Sequence, residues 1–397
     1  MITVDQATSI VLDHVEGLSA ETVALEEAHR RILAEDIVAD IDLPPFDRAR
    51  MDGYAIQSAD LGTAHATFRV IGEVPAGAMF AGEVHSGEAV KIFTGAPVPA
   101  GADAVQKVEV TRAEGNTVEI TEPVSPGQFI TPHASEIAAG EIVAKSGEEI
   151  GAAEMAVLAS FGYSRVRVTR RPRVAVLSTG SELVEVSAKP SAAQIRNSNT
   201  YTLAAYAAQA GAIVNMHGIV EDTRQATRDA LIRASDNCDV VITSGGVSMG
   251  DYDLVKAALL EIGAEIYFDK VIIRPGKPIV FARRGQTFFF GLPGNPVSTS
   301  VTFNVFVRPA IRKMQGNTSP MLPIVSAHLA RPIKDKSSRR SYLPARFYVE
   351  AGRAMVEPLK WGGSSDLVAF MRASALIVVP EDVHDIDEGQ LVDAVLL

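Results

Sequence analysis

The chain has 397 residues, of which 47% are hydrophobic and 21% charged, a composition typical of a soluble protein with two to four domains. Its formal net charge of −11, from 48 acidic and 37 basic residues, argues against nucleic acid or an anionic membrane surface as the main partner. The single cysteine, Cys238, excludes an intrachain disulfide, and the absence of a signal-peptide pattern or a long apolar run favours a cytoplasmic protein.

The first half of the chain predicts helices followed by a β domain. Residues 1–40 are expected to be helical, because "TVDQATSIVLDHV" and "ETVALEEAHRRILAEDI" repeat apolar residues at intervals of three and four. From "DLPPF" to about Gly140, short alternating runs separated by Gly and Pro turns predict a small β domain. The stretch "GEEIGAAEMAVLASFGYSRVRV" then predicts one helix and a strand.

The second half predicts an α/β domain and a further β domain. From Arg173, apolar strands such as "VAVLS" and "DVVITSGG" alternate with helical patterns, the last running from Val297 to Met314. This alternation indicates a doubly wound, mostly parallel sheet. From Pro320 onwards, "LPIVSAHLARPI", "RSYLPARFYVE", "AMVEPL" and "ALIVVPE" predict a small antiparallel β domain.

Polar and glycine-rich loops follow the strands of the α/β part. They read "STGSEL", "GIVEDT", "TSGGVSMGDYD", "RPGKP" and "GLPGNPVS". Sheets of this class bind ligands beyond the carboxyl ends of their strands. Free backbone N–H groups with Arg274 and Lys277 suit anionic oxygen, whereas the carboxylates of Glu182, Asp222 and Asp251 suit a hard divalent cation such as Mg²⁺. The loops therefore predict a site for a polyphosphate bridged by Mg²⁺, with phosphoryl or nucleotidyl removal as its chemistry.

Each of these residues alone also fits an ordinary role. Asp222 is as well placed to cap a helix as to bind a ligand, and Glu182 fits a solvated acid in a first helical turn. Asp253 fits a helix-start acid, and "RPGKP" fits an exposed turn.

A second polar cluster lies in the N-terminal half. "PPFDRARMDGYAI" places Asp47 and Asp52 around a turn, with Gly53 able to adopt positive φ. "IFTGAPVPAGADAVQKVE" places Thr94 and Gly95 after a strand. Taken singly, each of these residues is explained equally well by a role in forming a turn and by a role in function.

The ordered succession of motifs resembles the molybdopterin molybdenumtransferase family, which comprises bacterial MoeA and the gephyrin E-domain. The motifs are "FDRARMDGYA", "GEVPAG", "IFTGAPVPAGADAV", "STGSEL", "QIRNSN", "TSGGVSMGDYD", "RPGKP" and "GLPGNPVS". The resemblance is collinear from about residue 5 to the C-terminus.

The resemblance implies an activity and an architecture. The activity is insertion of molybdate into adenylylated molybdopterin, with divalent-metal-dependent release of AMP. The architecture is an elongated linking domain (21–40 and 141–171), a small β-rich domain (41–140), an α/β molybdopterin-binding domain (1–20 and 172–317) and a C-terminal β-barrel domain (318–397). The family also implies a cytoplasmic homodimer, transient contact with the molybdopterin adenylyltransferase and with molybdoenzymes, and no nucleic acid or membrane partner.

The resemblance assigns roles residue by residue. The catalytic positions are Asp52, Thr94, Glu182, Asp222 and Asp251, of which Glu182, Asp222 and Asp251 hold the cation. The substrate-binding positions are Gly245, Gly246, Ser248, Arg274, Lys277, Pro293, Pro296, Ser298, Arg340 and Ser365.

The chain departs from the family pattern at several positions. Ser135 and Glu136 stand where the family usually has Glu and Asp, and Arg50 replaces a small residue. Arg274 replaces a lysine, which keeps the charge but exchanges a point cation for a planar fork. These changes suggest a divergent member of the family.

Two other functions fit parts of the pattern. An enzyme that adenylylates molybdopterin would share the α/β domain, but that type of protein consists essentially of this domain alone. A non-catalytic scaffold, as in gephyrin-like proteins, would not need Glu182, Asp222 and Asp251.

We expect Asp251→Asn to abolish AMP release while leaving the fold nearly intact, because a residue at the rim of a site contributes little to the core. AMP release and circular dichroism of the variant check this. Turnover equal to that of the wild type would remove Asp251 from the mechanism.

Overall fold

The computed structural model describes residues 1–61, 65–247 and 254–397, so Ser248, Asp251 and Asp253 lie outside the described residues. Two compact units are present. Unit 1 comprises Met1–Glu35, Ser146–Gly151 and Arg165–Leu397, and unit 2 comprises Asp36–Lys145 and Ala152–Ser164. Within the described ranges, no helix has the length and apolar character needed to cross a membrane. The division into four domains stays a prediction.

Unit 1 begins with helix α1 (Val4–His14) and strand β1 (Ala20–Ala24). The hydroxyl of Thr3 accepts a hydrogen bond from the Gln6 amide, and the Gln6 side chain accepts one from the Thr3 amide, which completes a capping box. The helix predicted over the rest of residues 1–40 is wrong. The chain instead pairs β1 antiparallel with a later strand and forms only a short 3₁₀ turn, Leu25–Glu27.

Unit 2 is a β domain, as predicted. Its elements are β2 (Ile37–Val38), β3 (Arg48–Ala49), β4 (Gly53–Ile56), β5 (Ala66–Val74), β6 (Glu88–Ile92), β7 (Ala104–Lys107), β8 (Thr111–Glu114), β9 (Thr117–Ile120), β10 (Ile130–Thr131), β11 (Ile142–Ala144) and helix α2 (Ala152–Ser160). The main sheet has the order β7-β4-β6-β5-β9-β8. Ala55 packs in one apolar cluster while its neighbours Tyr54 and Ile56 pack in another. Both faces of β4 are therefore buried.

The remaining elements belong to unit 1. The strands are β12 (Arg165–Thr169), β13 (Arg173–Thr179), β14 (Leu183–Val184), β15 (Ile195–Arg196), β16 (Ile213–Val220), β17 (Val240–Ser244), β18 (Glu265–Lys270), β19 (Ile273–Arg274), β20 (Pro278–Arg284), β21 (Thr287–Leu292), β22 (Ile324–Leu329), β23 (Ile333–Lys334), β24 (Arg340–Glu350), β25 (Arg353–Pro358), β26 (Ala375–Val379), β27 (Asp385–Ile386) and β28 (Leu391–Leu396). The helices are α3 (Asn199–Gln209), α4 (Arg224–Ser235), α5 (Leu254–Glu261), α6 (Pro296–Thr302), α7 (Arg308–Met314) and α8 (Leu367–Phe370).

The central sheet of unit 1 has the order β16-β13-β17-β21-β20-β18. Its first four strands pair in parallel, and β20 pairs antiparallel with both of its neighbours, β21 and β18. Strands β17 and β21 are buried along their whole length, as expected for a sheet covered on both faces. The predicted doubly wound α/β architecture is confirmed, and its parallel part brings the carboxyl ends of β13, β17 and β21 to one edge.

The C-terminal region is a closed β-barrel of five strands, in the order β24-β25-β22-β28-β26 and back to β24. The sequence predicts antiparallel pairing throughout, but β22 and β25 pair in parallel. A closed ring with an odd number of strands cannot alternate direction at every pair, so one parallel pair is unavoidable.

A half-buried ion pair lies at the amino ends of β13 and β17 in the central sheet. The Asp239 carboxylate accepts two hydrogen bonds from the Arg170 guanidinium, at 2.8 and 2.6 Å, and one from the Arg173 amide at 2.7 Å. Although burial by itself raises the pKa of Asp239, these bonds outweigh it and hold that pKa below its ordinary value of 3.8.

We expect Asp239→Asn to lower the free energy of unfolding by about 2–3 kcal/mol at neutral pH, because Arg170 loses its counter-charge. The folded-state pKa of Asp239 is depressed, so this stabilisation is complete above the unfolded value of 3.8 and is lost as the pH falls through the folded value. Urea denaturation of both proteins at neutral pH and at about pH 3 checks this, with exposed Asp13→Asn as the control. A stability difference that does not shrink in acid would contradict this account.

Candidate active site

Neighbouring cavities of about 330, 530 and 310 Å³ lie where the loops after β13, β17 and β21 meet residues from other parts of unit 1. Asn295 lies in the wall of all three. We call them together the strand-end cleft. Its walls contain the predicted residues Glu182, Asp222, Gly245, Gly246, Arg274, Lys277, Pro293, Pro296, Ser298 and Ser365.

An acidic pair lies in one lobe of the cleft. Burial and the negative charge of Glu182 together raise the pKa of Asp222. Asp222 does not cap helix α4, because Thr223 takes that role by accepting a hydrogen bond from the Ala226 amide at 3.2 Å. Within the described ranges, the Asp222 carboxylate has no hydrogen-bond partner, so it is available to a ligand.

The glycine loop after β17 packs against the end of β13. Gly245 and Gly246 have backbone φ values of +91° and +67°, which residues with a Cβ atom rarely adopt. A Cβ atom on Gly245 would lie 2.2 Å from the carbonyl oxygen of Thr179. Glycine at this position therefore allows the two loops to approach closely at the floor of the cleft. The predicted site residues Ser248 and Asp251 lie outside the described residues.

The lobe at the other end of the cleft is basic. Arg274, Lys277 and Arg339 line it together with Ser298 and Trp361. Arg339 is a residue that the sequence did not indicate, although it stands next to the predicted Arg340.

The structure places Arg340 outside the strand-end cleft. Its guanidinium binds the Asp5 carboxylate through two hydrogen bonds, at 2.5 and 2.8 Å, and lies 3.5 Å from Glu381. It lines a different cavity, of about 510 Å³, beside Tyr342. The sequence shows two adjacent arginines, but only the fold determines that Arg339 lines the cleft and Arg340 the neighbouring cavity.

A buried carboxylate holds Arg274. The guanidinium of Arg274 donates to the Asp335 carboxylate, whose side chain is only 2% exposed, whereas that of Arg274 is 38% exposed. Asp335 Oδ1 also accepts from the Ser337 amide at 2.9 Å, and Oδ2 has no partner within the described ranges. No sequence motif pointed to Asp335. The planar guanidinium of Arg274 can bind Asp335 and still line the cleft.

Unit 2 contains the other predicted pair. The Asp52 carboxylate accepts hydrogen bonds from the amide and the hydroxyl of Thr94, both at 2.7 Å. These bonds, the amide first, hold the pKa of the exposed Asp52 below its ordinary value. Glu136, one of the departures from the family pattern, forms a 3.3 Å ion pair with Arg48.

We expect Arg274→Ala to lower the free energy of unfolding by about 2–3 kcal/mol, because it leaves the buried Asp335 carboxylate unpaired. Arg331→Ala is the matched control, since the Arg331 side chain is 71% exposed and Glu357 keeps a second partner in Arg346, so the loss is expected to be less than about 1 kcal/mol. Denaturant unfolding of both variants measures the difference. Equal losses of stability in the two variants would show that the ion pair between Arg274 and Asp335 stabilises the fold no more than an exposed pair does.

Comparison with known proteins covers the whole chain. Three family models match in order. They are the MoeA N-terminal region (domain I and II) over residues 2–162, the probable molybdopterin binding domain over 175–313, and the MoeA C-terminal region (domain IV) over 326–397.

Full-length relatives and a solved structure agree with these models. A molybdopterin molybdenumtransferase from Staphylococcus aureus is 35% identical, covering 100% of this chain and 95% of the relative. One from Haemophilus influenzae is 36% identical, covering 99% and 98%. The crystal structure of the molybdopterin biosynthesis moeA protein from Pyrococcus horikoshii OT3 superimposes with a TM-score of 0.86 at 31% identity, covering 100% of both chains. The chain therefore belongs to the molybdopterin molybdenumtransferase (MoeA) family.

Proposed function

We propose that this protein inserts molybdenum from molybdate into adenylylated molybdopterin and releases AMP. The observation that carries the proposal is the strand-end cleft, which has an acidic pair in one lobe and a basic group in another, with Asn295 in the wall of both. Such a cleft can accept two anions, one beside a cation held by carboxylates and one held directly by cationic side chains.

A divalent cation, with Mg²⁺ as the expected ion, fits the acidic lobe. Burial and, to a smaller extent, the negative charge of Glu182 raise the pKa of Asp222, and a bound cation would offset both effects. Asp251 is the third proposed ligand and lies outside the described residues. When bound, the cation neutralises charge on the phosphoanhydride oxygens.

Molybdate fits the basic lobe. Arg274, Lys277 and Arg339 supply positive charge, and the Ser298 hydroxyl supplies a hydrogen-bond donor. Because Asp335 fixes the Arg274 guanidinium, little side-chain entropy is lost when an oxyanion binds. Ser365 and Pro296 belong to the wall of the third lobe, where the remainder of the pterin substrate is proposed to lie.

The family resemblance supports the other parts of the proposal. The protein would act as a cytoplasmic homodimer, with Asp52 and Thr94 contributed to the cleft by the partner subunit. The hydrogen bonds between these two residues hold the Asp52 carboxylate ionised in a fixed position.

AMP release tests the proposal. The purified protein, given adenylylated molybdopterin, molybdate and Mg²⁺ without ATP, is expected to release AMP. Transfer of AMP from ATP to molybdopterin would instead identify an adenylyltransferase, and no AMP release would favour the scaffold.

We expect Mg²⁺ to raise the melting temperature by roughly 3 °C or more at saturation, because it binds the folded acidic lobe and not the unfolded chain. Asp222→Asn is expected to remove this increase without lowering the melting temperature of the metal-free protein, since it also removes a like-charge repulsion. Differential scanning calorimetry with and without Mg²⁺ measures both effects. Glu221→Gln, the same charge change at the exposed neighbouring residue, should retain the full increase. An unaltered response to Mg²⁺ in Asp222→Asn would exclude Asp222 as a ligand.

A further inference from the structure

The segment 293–295, which follows β21 and lines the strand-end cleft, has all three of its carbonyl groups engaged. The Pro293 oxygen accepts from the hydroxyls of Ser244, at 3.3 Å, and Thr299, at 2.5 Å. The Asn295 oxygen accepts from the Thr299 amide at 2.9 Å and from its hydroxyl at 3.0 Å. These donors belong to the end of β17 and to helix α6.

The third carbonyl of the segment, that of Gly294, is bound by the side chain of Asn199, the first residue of α3. The Asn199 side-chain amide donates to the Gly294 oxygen at 2.7 Å and to the Ser244 hydroxyl at 2.8 Å, with a longer contact of 3.4 Å to the Thr299 hydroxyl. One side chain thus connects the start of α3, the end of β17 and the loop after β21. The sequence motif "QIRNSN" contains this residue, but its pattern assigned no role to it.

The engaged carbonyls determine where the adjacent N–H groups point. The peptide bonds of the segment are trans, so each N–H group points away from the carbonyl that shares its peptide plane. Since the carbonyls of Pro293 and Gly294 point to their donors, the N–H groups of Gly294 and Asn295 point to the opposite side. Within the described ranges, neither N–H group donates a hydrogen bond, and both residues line the cleft.

We propose that Asn199 is a positioning residue, which holds the 293–295 segment so that the N–H groups of Gly294 and Asn295 bind a phosphate oxygen of the substrate. Consecutive backbone N–H groups form effective anion sites because they carry positive partial charge at a fixed position. The phosphate as ligand rests on the proposed function. The positioning role rests on the hydrogen bonds alone.

The other asparagine of the motif serves as an internal comparison. Asn197 is 2% exposed and donates to the Thr200 hydroxyl at 2.9 Å, which in turn lies 2.8 Å from the Ser178 hydroxyl. Asn197 therefore supports the contact that Thr200 of α3 makes with Ser178 of β13, and none of these bonds reaches the 293–295 segment. Loss of Asn197 is therefore expected to affect stability, whereas loss of Asn199 is expected to affect anion binding.

The test compares Asn199→Asp, Asn199→Ala and wild type by three measurements. Calorimetric titration with AMP reports binding of a phosphate without turnover. Quenching of Trp361, the single tryptophan, by molybdate reports the basic lobe that it lines. The melting temperature reports whether each variant is folded. Asn199→Ala provides the binding measurement if the partly buried charge introduced by Asn199→Asp prevents folding. Asn215→Asp, at an exposed position of β16, is the matched control.

We expect both Asn199 variants to weaken AMP binding by about tenfold or more, with molybdate quenching of Trp361 unchanged and Asn215→Asp like the wild type. Unchanged AMP binding in both variants would overturn the inference. So would an equal loss of AMP and molybdate binding, which would indicate general loosening. If the wild type bound AMP with the expected dependence on Asn199 but released none in turnover, the proposed function would fail and this inference would stand.

Discussion

Strands β13, β17 and β21 pair in parallel as neighbours, so their carboxyl ends lie at the same edge of the central sheet. The residues of β17 and β21 are buried along their length, so a ligand can reach these strands only where they end. The strand-end cleft therefore forms at this edge, where the strand ends and the loops after them meet residues from the C-terminal part of the chain, such as Arg339 and Ser365. The glycines at 245 and 246 let two of these loops approach each other, and Asn199 joins the third.

The cleft separates opposite charges although the chain as a whole is acidic. Glu182 and Asp222 lie in one lobe, while Arg274, Lys277 and Arg339 lie in another. The net charge predicts the sign of the electrostatic field around the whole protein. A local group of basic side chains can still bind an anion. The buried Asp335 carboxylate adds to this arrangement, because it restricts the side chain of Arg274, one of the two arginines of the basic lobe.

The sequence predicted the features that depend on local pattern and spacing. Apolar runs identified the strands of the central sheet, and the loops after them contained most of the residues that line the cleft. Prediction was wrong where a distant partner decides local structure. Residues 20–24 form a strand because they pair with β12, although their apolar spacing favours a helix. The parallel pair β22 and β25 follows from closure of a five-stranded ring, which no local pattern encodes.

Site residues were missed for the same reason. Arg339 and Arg340 have the same chemistry, and their positions in the fold alone place one in the cleft and the other against Asp5. Asp335 is distant from Arg274 in the chain and stands in no glycine-rich loop. The role of Asn199 depends on three acceptors in separate segments, so only the folded structure reveals it.

The central claim is that one cleft at the edge of the sheet accepts both anions of the reaction. A crystal structure of the protein soaked with molybdate and AMP tests this most directly. We expect molybdate beside Arg274 and Lys277, and the AMP phosphate at the loops that contain Gly245 and Gly294. Either anion bound only elsewhere, such as in the cavity of about 740 Å³ in the C-terminal barrel, would contradict the account.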